Sequence, residues 1–356
     1  MKRTRFLVCA LGAALALTFV GCKPTVGNSS ISDSSDIYTE LPAGTDGTAG
    51  TSGTYVTFGE WPQTIKDASV TVNENESLTR GAFTYYKGSD GAWYVKCTEK
   101  AEIGSGVEHK YSDGTDVADA GANSTKYFKV EPIKWRVLTN NYNGSGKKLL
   151  LAESILINCA FYGYYYDRII GESTVLPNNY KESLVRAYLN GLQYTKKSSN
   201  SAEAEQEIDS SFAEKGFLQT AFTASERDRI VSTTVDNSAT STTDTGNNKP
   251  QSPCYCGDTY DKVFLLSEQE VTTSTYGFAA YNEPAASRIR MTTDYSKASG
   301  ANLSSEEGRG SMWWLRSPHH YSHGHDQRGV YGSGDADSNY GVTNSRIGVV
   351  PALCID

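Results

Sequence analysis

The chain has 356 residues, with 41 acidic and 33 basic side chains and a formal net charge of −8. Charged residues make up 21 % and aromatic residues 11 %, so the sequence can fill a hydrophobic core and is neither disordered nor fibrous. The acidic surplus argues against nucleic-acid binding, because nucleic-acid-binding proteins normally carry a basic surplus.

The first 21 residues have the pattern of a bacterial lipoprotein signal peptide. Three basic residues lie within the first five, and an apolar segment over 6–20 is short for a membrane span. Gly21 and Cys22 follow, which predicts cleavage between them and a diacylglycerol thioether on Cys22. Acyl chains would anchor the mature chain to a membrane, so we expect it in the cell envelope, on the outer-membrane surface. An ordinary secretory signal and a signal anchor are the alternatives.

Residues 22–54 are predicted to be a flexible tether, and 55–356 to be one domain. The first range is rich in Ser, Thr, Gly and Asp and nearly free of large apolar residues, a composition typical of linkers. Within the domain, 195–211 and 232–253 are polar and of low complexity. We predict that these two ranges are inserted surface loops.

Hydrophobic patterns predict strands first and helices in the middle of the domain. An Asp-Gly pair between aromatic runs predicts a β-hairpin over 83–94. One helix is predicted over 183–192, with Leu192 on its apolar face, and another over 223–230, opened by a Thr-x-x-Glu capping box. Helices in the middle with strands at both ends predict an α+β fold. The predicted strands are 55–58, 133–138, 148–152, 262–266, 312–316, 328–331 and 347–350.

Four of the five histidines lie within seven residues, and Asp326 follows them. This histidine cluster consists of His319, His320, His323 and His325. Imidazole and carboxylate groups suit Zn or Ni, so a metal-binding protein or a metal-dependent enzyme is one alternative function. The spacing is not that of a helical His-x-x-x-His site, and a Pro before the cluster and a Gly within it indicate a loop.

Other catalytic patterns find little support in the sequence. It has no Gly-x-Ser-x-Gly motif and no phosphate-binding Gly loop. Glu226, Asp228, Glu268 and Glu270 form acidic pairs at predicted helix or strand ends, where carboxylates usually cap helices. We therefore predict no catalytic residue, no enzyme activity and no cofactor.

The composition of 319–345 suggests recognition instead. This range has no Leu, Ile or Met and consists largely of His, Tyr, Ser, Gly, Asp and Asn. Adaptable polar and aromatic groups on a rigid frame are typical of binding surfaces. The predicted strands on either side would supply that frame, with Trp313 and Trp314 packed beneath. A plain polar surface loop is the alternative.

Eight ordered segments resemble a bacterial domain family of unassigned activity that is common in exported proteins. Val350 departs from that family, which tends to carry Arg before the Pro. Together with the signal peptide, the chain is similar to the family of Treponema variable protein-like surface lipoproteins. The segments are 58–64 (FGEWPQT), 131–138 (EPIKWRVL), 149–153 (LLLAE), 183–190 (SLVRAYLN), 221–226 (AFTASE), 261–268 (DKVFLLSE), 313–318 (WWLRSP) and 348–353 (GVVPAL).

The resemblance implies a C-type-lectin-like fold of the formylglycine-generating-enzyme type, with insertions. It also implies a C-terminal variable region, about 314–350, diversified by a retroelement and binding a protein or glycan ligand without calcium. The resemblance does not extend to the catalytic activity of formylglycine-generating enzymes, because Cys254 and Cys256 are not surrounded by a motif that matches their catalytic cysteine pair. A structural envelope lipoprotein without a diversified region is a further alternative.

Adenine-directed mutagenesis of Asn codons yields mainly Asn, Tyr, Ser, His, Asp and Gly, and residues of these types mark the predicted ligand site. Only three of the 23 tyrosines lie in it, so we expect most tyrosines to belong to the scaffold, including a cluster over 162–166 placed elsewhere. The predicted partners are the ligand and, through Cys22, the membrane. The predicted ligand-binding residues are His319, His320, Tyr321, Ser322, His323, His325, Asp326, Tyr331, Asp335, Asp337, Ser338, Asn339, Tyr340 and Asn344.

Overall fold

Most regular structure in the computed structural model is β-strand, and the helices are short. This agrees with the predicted α+β class at the level of a β-rich fold with a few helices. All described residues fall in one unit, Ser35–Asp356. The structure describes residues 39–41, 54–100, 110–118, 124–170, 173–196, 208–238, 242, 256–280, 282–304, 309–319, 324–336 and 338–356.

The elements are numbered along the chain. The strands are β1 Thr39–Leu41, β2 Tyr55–Ile65, β3 Val72–Arg80, β4 Phe83–Gly88, β5 Trp93–Thr98, β6 Thr125–Thr139, β7 Lys148–Ala152, β8 Ser154–Ile155, β9 Ile157–Asn158, β10 Arg168–Ile170, β11 Ser173–Val175, β12 Gln193–Lys196, β13 Ile208–Ser211, β14 Ile230–Val231, β15 Thr233–Val235, β16 Thr259–Asp261, β17 Val263–Phe264, β18 Met291–Thr292, β19 Trp313–Pro318, β20 Asp326–Val330, β21 Ser338–Gly341, β22 Gly348–Val349 and β23 Ala352–Ile355. The helices are α1 Leu184–Asn190, α2 Phe217–Ala221, α3 Ala224–Arg229, α4 Glu268–Val271 and α5 Asp294–Ala298, with 3₁₀ turns at Tyr142–Gly144, Ser274–Tyr276 and Ala286–Arg288.

Two sheets organise the described residues. The larger sheet runs in the order β14-β23-β7-β6-β5-β4-β3, with β17 also paired to β23 and β2 to β6. The smaller sheet runs in the order β21-β20-β19-β22-β9, and only its β19–β22 pair is parallel. The last strands of the chain therefore contribute to both sheets, with β22 in one and β23 in the other.

Local signals in the sequence predicted several elements correctly. Each predicted strand overlaps an observed strand, and the predicted hairpin forms between β4 and β5. Gly91 has φ +80 in its turn, a conformation that favours glycine, and Asp90 accepts a hydrogen bond from the Ala92 amide at 3.1 Å. The Asp-Gly pair thus closes this hairpin as expected.

The two predicted helices are α1 and α3. Ser183 caps α1 by accepting from the Arg186 amide, and Gly191 ends it with φ 68. Leu192 therefore lies beyond the helix and is 37 % exposed, so its predicted place on the apolar face is wrong. The predicted capping box opens α3, with Glu226 bonded to the Thr223 backbone amide. Glu270 does the same for α4, which confirms capping roles for these two carboxylates.

Three polar segments hold more strand than the sequence predicted. Within the predicted tether, β1 pairs with the start of β2, which corrects that prediction for three residues. The predicted loop 195–211 contains β13 and the end of β12, which pair with each other, and the predicted loop 232–253 contains β15, which pairs with β16 beyond it. Tyr194 of β12 and Val235 of β15 reach the core, but these strands are too rich in Thr and Ser for their sequences to show apolar alternation.

Four tryptophans lie in the core, and each donates its ring N–H to a backbone carbonyl. Trp61 donates to Leu156 at 3.0 Å and Trp135 to Phe58 at 2.7 Å. Trp314 donates to the Cys159 carbonyl at 2.8 Å, and Trp313 donates to the Arg288 carbonyl at 3.2 Å. Both Trp313 and Trp314 are fully buried, which confirms the prediction for that pair. The rings thus add fixed polar contacts to their apolar packing.

We expect the fold to lose stability above about pH 10, the ordinary pKa of tyrosine. Burial raises the pKa of Tyr180, Tyr188 and Tyr194, so above this pH the unfolded chain ionises first. The stability that these tyrosines contribute is fully present below pH 10. Above it, the free energy of unfolding declines by up to about 1.4 kcal/mol per pH unit for each buried tyrosine. Burial lowers the pKa of Arg290 to about 10, so loss of its proton in the folded chain would raise stability above that pH. This is one group, and the buried tyrosines that lower stability outnumber it.

The measurement is urea unfolding at about pH 8 and about pH 10.5, with tyrosinate absorbance recorded for the folded and unfolded chain. Equal free energies of unfolding at the two pH values would contradict this expectation.

Candidate functional site

The predicted variable region is built around β19 in the smaller sheet. All six residues of β19 are buried, and the strand lies between β20 and β22. Apart from the predicted strand 328–331, the range 319–345 was predicted as a loop, and in the structure β20 and β21 pair over four positions there. The strand prediction is confirmed at β20, whereas the loop prediction is wrong at β21, because polar residues that lack a hydrophobic pattern are held by backbone pairing and by buried polar contacts.

An irregularity between β19 and β20 is filled by a glutamine side chain. The register of the two strands shifts between Trp314 and Pro318, which leaves carbonyls of β19 without ladder partners. The Gln327 amide donates to the carbonyls of Leu315 and Ser317, each at 2.7 Å, and is fully buried. Gln327 therefore fixes β20 against β19.

A buried ion pair holds β20 from the other side. The Arg328 Nε lies 3.2 Å from the Glu268 Oε2 of α4, and both side chains are 2 % exposed. The Asn282 amide donates to the second oxygen of Glu268 at 3.1 Å, and the Asn178 amide donates to the Asp326 carbonyl at 3.0 Å. Three polar side chains from outside β20, those of Glu268, Asn282 and Asn178, thus help to position this short strand.

The predicted ligand-binding residues divide by environment. His319 is buried, Tyr340 packs over Trp314 at 6.0 Å between ring centroids, and Asp326 accepts from the Asn339 amide at 3.2 Å. His325 and Asp335 are half-buried. The exposed ones are Tyr331, Asn339 and Asn344. Of the others, Ser338 is described by its backbone in β21, and His320, Tyr321, Ser322, His323, Asp337 and the lipidation residue Cys22 lie outside the described residues.

A group of tyrosines adjoins this region, contrary to the prediction that it lies elsewhere. The Tyr165 and His325 rings are 4.1 Å apart between centroids. Tyr166 lies 6.2 Å from Tyr165 and 5.2 Å from Tyr164. Three consecutive tyrosines are a visible signal in the sequence, but their contact with His325 is a long-range feature that periodicity cannot predict.

Residues 145–356 match a family described as a domain of unknown function, DUF6273. The chain belongs to the DUF6273 family. The match covers β7 to β23 and the whole site described above, whereas β1 to β6 precede it. No curated protein and no solved structure matches the chain. Over the described ranges of this DUF6273 protein, no helix is long and apolar enough to cross a membrane.

Metal-binding groups do not converge in the described part of the DUF6273 protein, where no three His, Cys, Asp or Glu side chains are placed to hold a metal ion. His320 and His323 are outside that part, so the alternative that uses all four histidines stays a prediction. Burial raises the pKa of the Cys354 thiol to about 11 and that of Cys159 to about 12. These two thiols are therefore protonated at neutral pH and are poor nucleophiles.

Replacing Gly324 with Ala is expected to destabilise the DUF6273 protein by about 1–3 kcal/mol. Gly324 has φ +64, and a Cβ there would lie 2.7 Å from the Leu176 Cβ and 2.9 Å from the Asn178 Oδ1. Gly341→Ala is the matched control, because nothing lies within 4 Å of a Cβ at that position. Urea unfolding of both variants measures the difference, and equal midpoints would contradict it.

Proposed function

We propose that this chain is a lipid-anchored protein of the bacterial cell envelope, displayed on the outer-membrane surface, and that its C-terminal region binds a protein or glycan ligand. One observation carries the proposal. Tyr331, Asn339 and Asn344 are exposed on or beside the β20–β21 hairpin, while the strand beneath them is held by buried contacts. Aromatic and amide side chains on a rigid frame suit recognition.

The proposed scaffold is a C-type-lectin-like fold of the formylglycine-generating-enzyme type, and the proposed variable region is 314–350. The eight segments that carry the resemblance support this scaffold. Sequencing the surrounding DNA tests diversification: we expect a near-copy of the stretch encoding 314–350 that differs mainly at adenines, beside a reverse transcriptase. If the genome holds no such copy, diversification is excluded, although ligand binding is not.

The lipid anchor is tested at Cys22. We expect mass spectrometry of the mature N-terminus to find an acylated cysteine, and Cys22→Ser to release the protein from the membrane fraction. Two or more acyl chains hold a protein stably on a membrane, whereas a single chain gives only marginal, reversible binding. An unmodified Cys22 in the membrane-bound protein would contradict the proposed anchor.

Ligand binding is tested with arrays of glycans and of purified proteins, followed by affinity measurements on whatever probe binds. The triple variant Y331A/N339A/N344A should lose at least about tenfold in affinity, because a few central residues normally dominate an interface. The matched control is Y260A/N73A/N75A, which removes the same residue types from exposed positions in β16 and β3. Equal affinities of the two triple variants would contradict the proposed site.

A further inference from the structure

Arg290, just before β18, is a buried cation with one unused edge. It is 1 % exposed, and its Nη1 donates to the carbonyls of Ser287 and Ile289 at 3.2 and 2.8 Å. Within the described part of the chain, its Nε and Nη2 have no hydrogen-bond partner. These two nitrogens form the edge of a guanidinium that donates two parallel hydrogen bonds to a carboxylate or a phosphate.

The other buried arginines among the described residues have partners that offset their charge. Three pair with a glutamate, and two lie among backbone carbonyls or over tyrosine rings. Burial lowers the pKa of Arg290 to about 10, so Arg290 is still charged at neutral pH, and a buried charge without a counter-ion is costly. The paired arginines are Arg136, Arg316 and Arg328, and the other two are Arg288 and Arg168.

The carboxylate beside Arg290 is already used by another arginine. Met291 of β18 lies opposite Ser154 of β8 in a parallel pair, which brings Arg290 alongside Glu153. Both Glu153 oxygens accept from Arg136, at 3.1 and 2.5 Å. Two guanidinium groups and one carboxylate leave a local charge of +1, so the group attracts an anion.

A third cation lies at the border of this group. The Lys134 Nζ lies 4.3 Å from the centroid of the Tyr55 ring, and the Arg136 guanidinium lies over the same ring at 5.7 Å. Lys134 and Glu153 are half-buried, whereas Arg290 and Tyr55 are buried. Solvent therefore reaches the group from the side of Lys134 and Glu153.

We propose that Arg290 binds a small oxyanion, a carboxylate or a phosphate, through its Nε and Nη2. The anion supplies the two acceptors that the fold does not, and Arg136 and Lys134 add attraction from beside it. Because Arg290 is 1 % exposed, the occupant is a small ion or molecule rather than a protein surface. The site lies outside 314–350 and is independent of the proposed ligand-binding surface.

The test titrates the full chain, in a Tris chloride buffer, with sodium formate, acetate or phosphate, and with sodium chloride at the same ionic strength. We expect at least one of the three oxyanions to raise the urea midpoint of the parent above its value in chloride. The formate and acetate arms distinguish a carboxylate site from a phosphate site. Calorimetric titration gives the affinity directly.

Three variants assign the effect to Arg290. Arg290→Met should lose at least about tenfold in oxyanion affinity, since a hydrogen bond to a charged group contributes roughly a factor of ten or more. Arg290→Lys keeps the charge without the two parallel donors, so it should lose the preference for oxyanions over chloride. Lys147→Met removes a cation from a half-exposed ion pair with Asp356 and should respond like the parent.

A parent that responds equally to oxyanions and chloride would overturn the proposal, because no bidentate site would then exist. An Arg290→Met variant that keeps the response of the parent would overturn it too. If Arg290→Met does not fold, the selectivity of Arg290→Lys decides. Array ligands that depend on Tyr331, Asn339 and Asn344 leave this result unchanged, so the proposed function and this site stand or fall separately.

Discussion

Arg328→Met is expected to lower the free energy of unfolding by about 3–5 kcal/mol, the usual effect of breaking a buried ion pair from one side. Arg328 and Glu268 lie 3.2 Å apart with side chains that are 2 % exposed. Removing the guanidinium leaves the Glu268 carboxylate buried, with the Asn282 amide still donating to it. A neutral amide donor offsets less of the desolvation of a full negative charge than the guanidinium does.

The double variant E268M/R328M distinguishes the cost of an unpaired charge from the cost of lost packing. It removes both charges while keeping similar side-chain volume, so we expect it to recover more than half of the stability that R328M loses. Urea unfolding of the parent, R328M, the single variant E268M and the double variant completes a double-mutant cycle. A loss of less than about 1 kcal/mol in R328M would mean that Glu268 is solvated or protonated in the folded chain.

The same variants test whether the ion pair positions the proposed binding surface. Arg328 faces Asn339 across the β20–β21 ladder, so loosening β20 should disturb a residue that Arg328 does not replace. We expect R328M to weaken the binding of any array ligand that requires Asn339, at temperatures where the variant is still folded. The double variant should restore this binding along with stability.

The parts of the fold that were predictable are encoded within a few neighbouring residues. Ser183 and Gly191 mark both ends of α1, and the capping box of α3 spans only four residues. Arg328 and Gln327 were missed because both are polar and lie in a sequence without aliphatic periodicity. Their burial depends on partners from α4 and β19 that come together only in the folded chain.

In the candidate site, too, the sequence predicted the region but not the contacts that form only in the folded chain. Its composition pointed to 319–345, but composition does not say which side chain faces the solvent. Tyr340 packs on Trp314 while its neighbour Asn339 is exposed, because successive residues of β21 point to opposite faces. The contact between Tyr165 and His325 joins segments that are distant in sequence, so no local pattern could predict it.

The segment 145–356, which matches DUF6273, is expected not to fold by itself. It begins before β7 and lacks β6, which pairs with β7 over four positions in the larger sheet. It also lacks Trp61 and Trp135, both in the core. Losing one buried Trp costs about 3–5 kcal/mol, so the loss of both consumes most of the roughly 5–15 kcal/mol that stabilises a typical domain.

Polar contacts across the cut raise the cost further. The Trp61 ring N–H donates to the Leu156 carbonyl, and Glu226 accepts from the Gly59 amide at 3.2 Å while also capping α3. Asp294 of α5 accepts from the Ile65 amide at 3.1 Å. Deleting the donors leaves these acceptors without their partners in a core that has lost its aromatic filling.

The measurement compares 145–356 with 54–356, which keeps β2 to β23. We expect 54–356 to give near-ultraviolet circular dichroism from its fixed aromatic rings and a cooperative urea transition, and 145–356 to give neither. A cooperative transition in 145–356 would mean that β7 finds another partner and that β2 to β6 form a separable unit. The strand order with β6 beside β7, and the tryptophans buried along it, argue for one cooperative sheet.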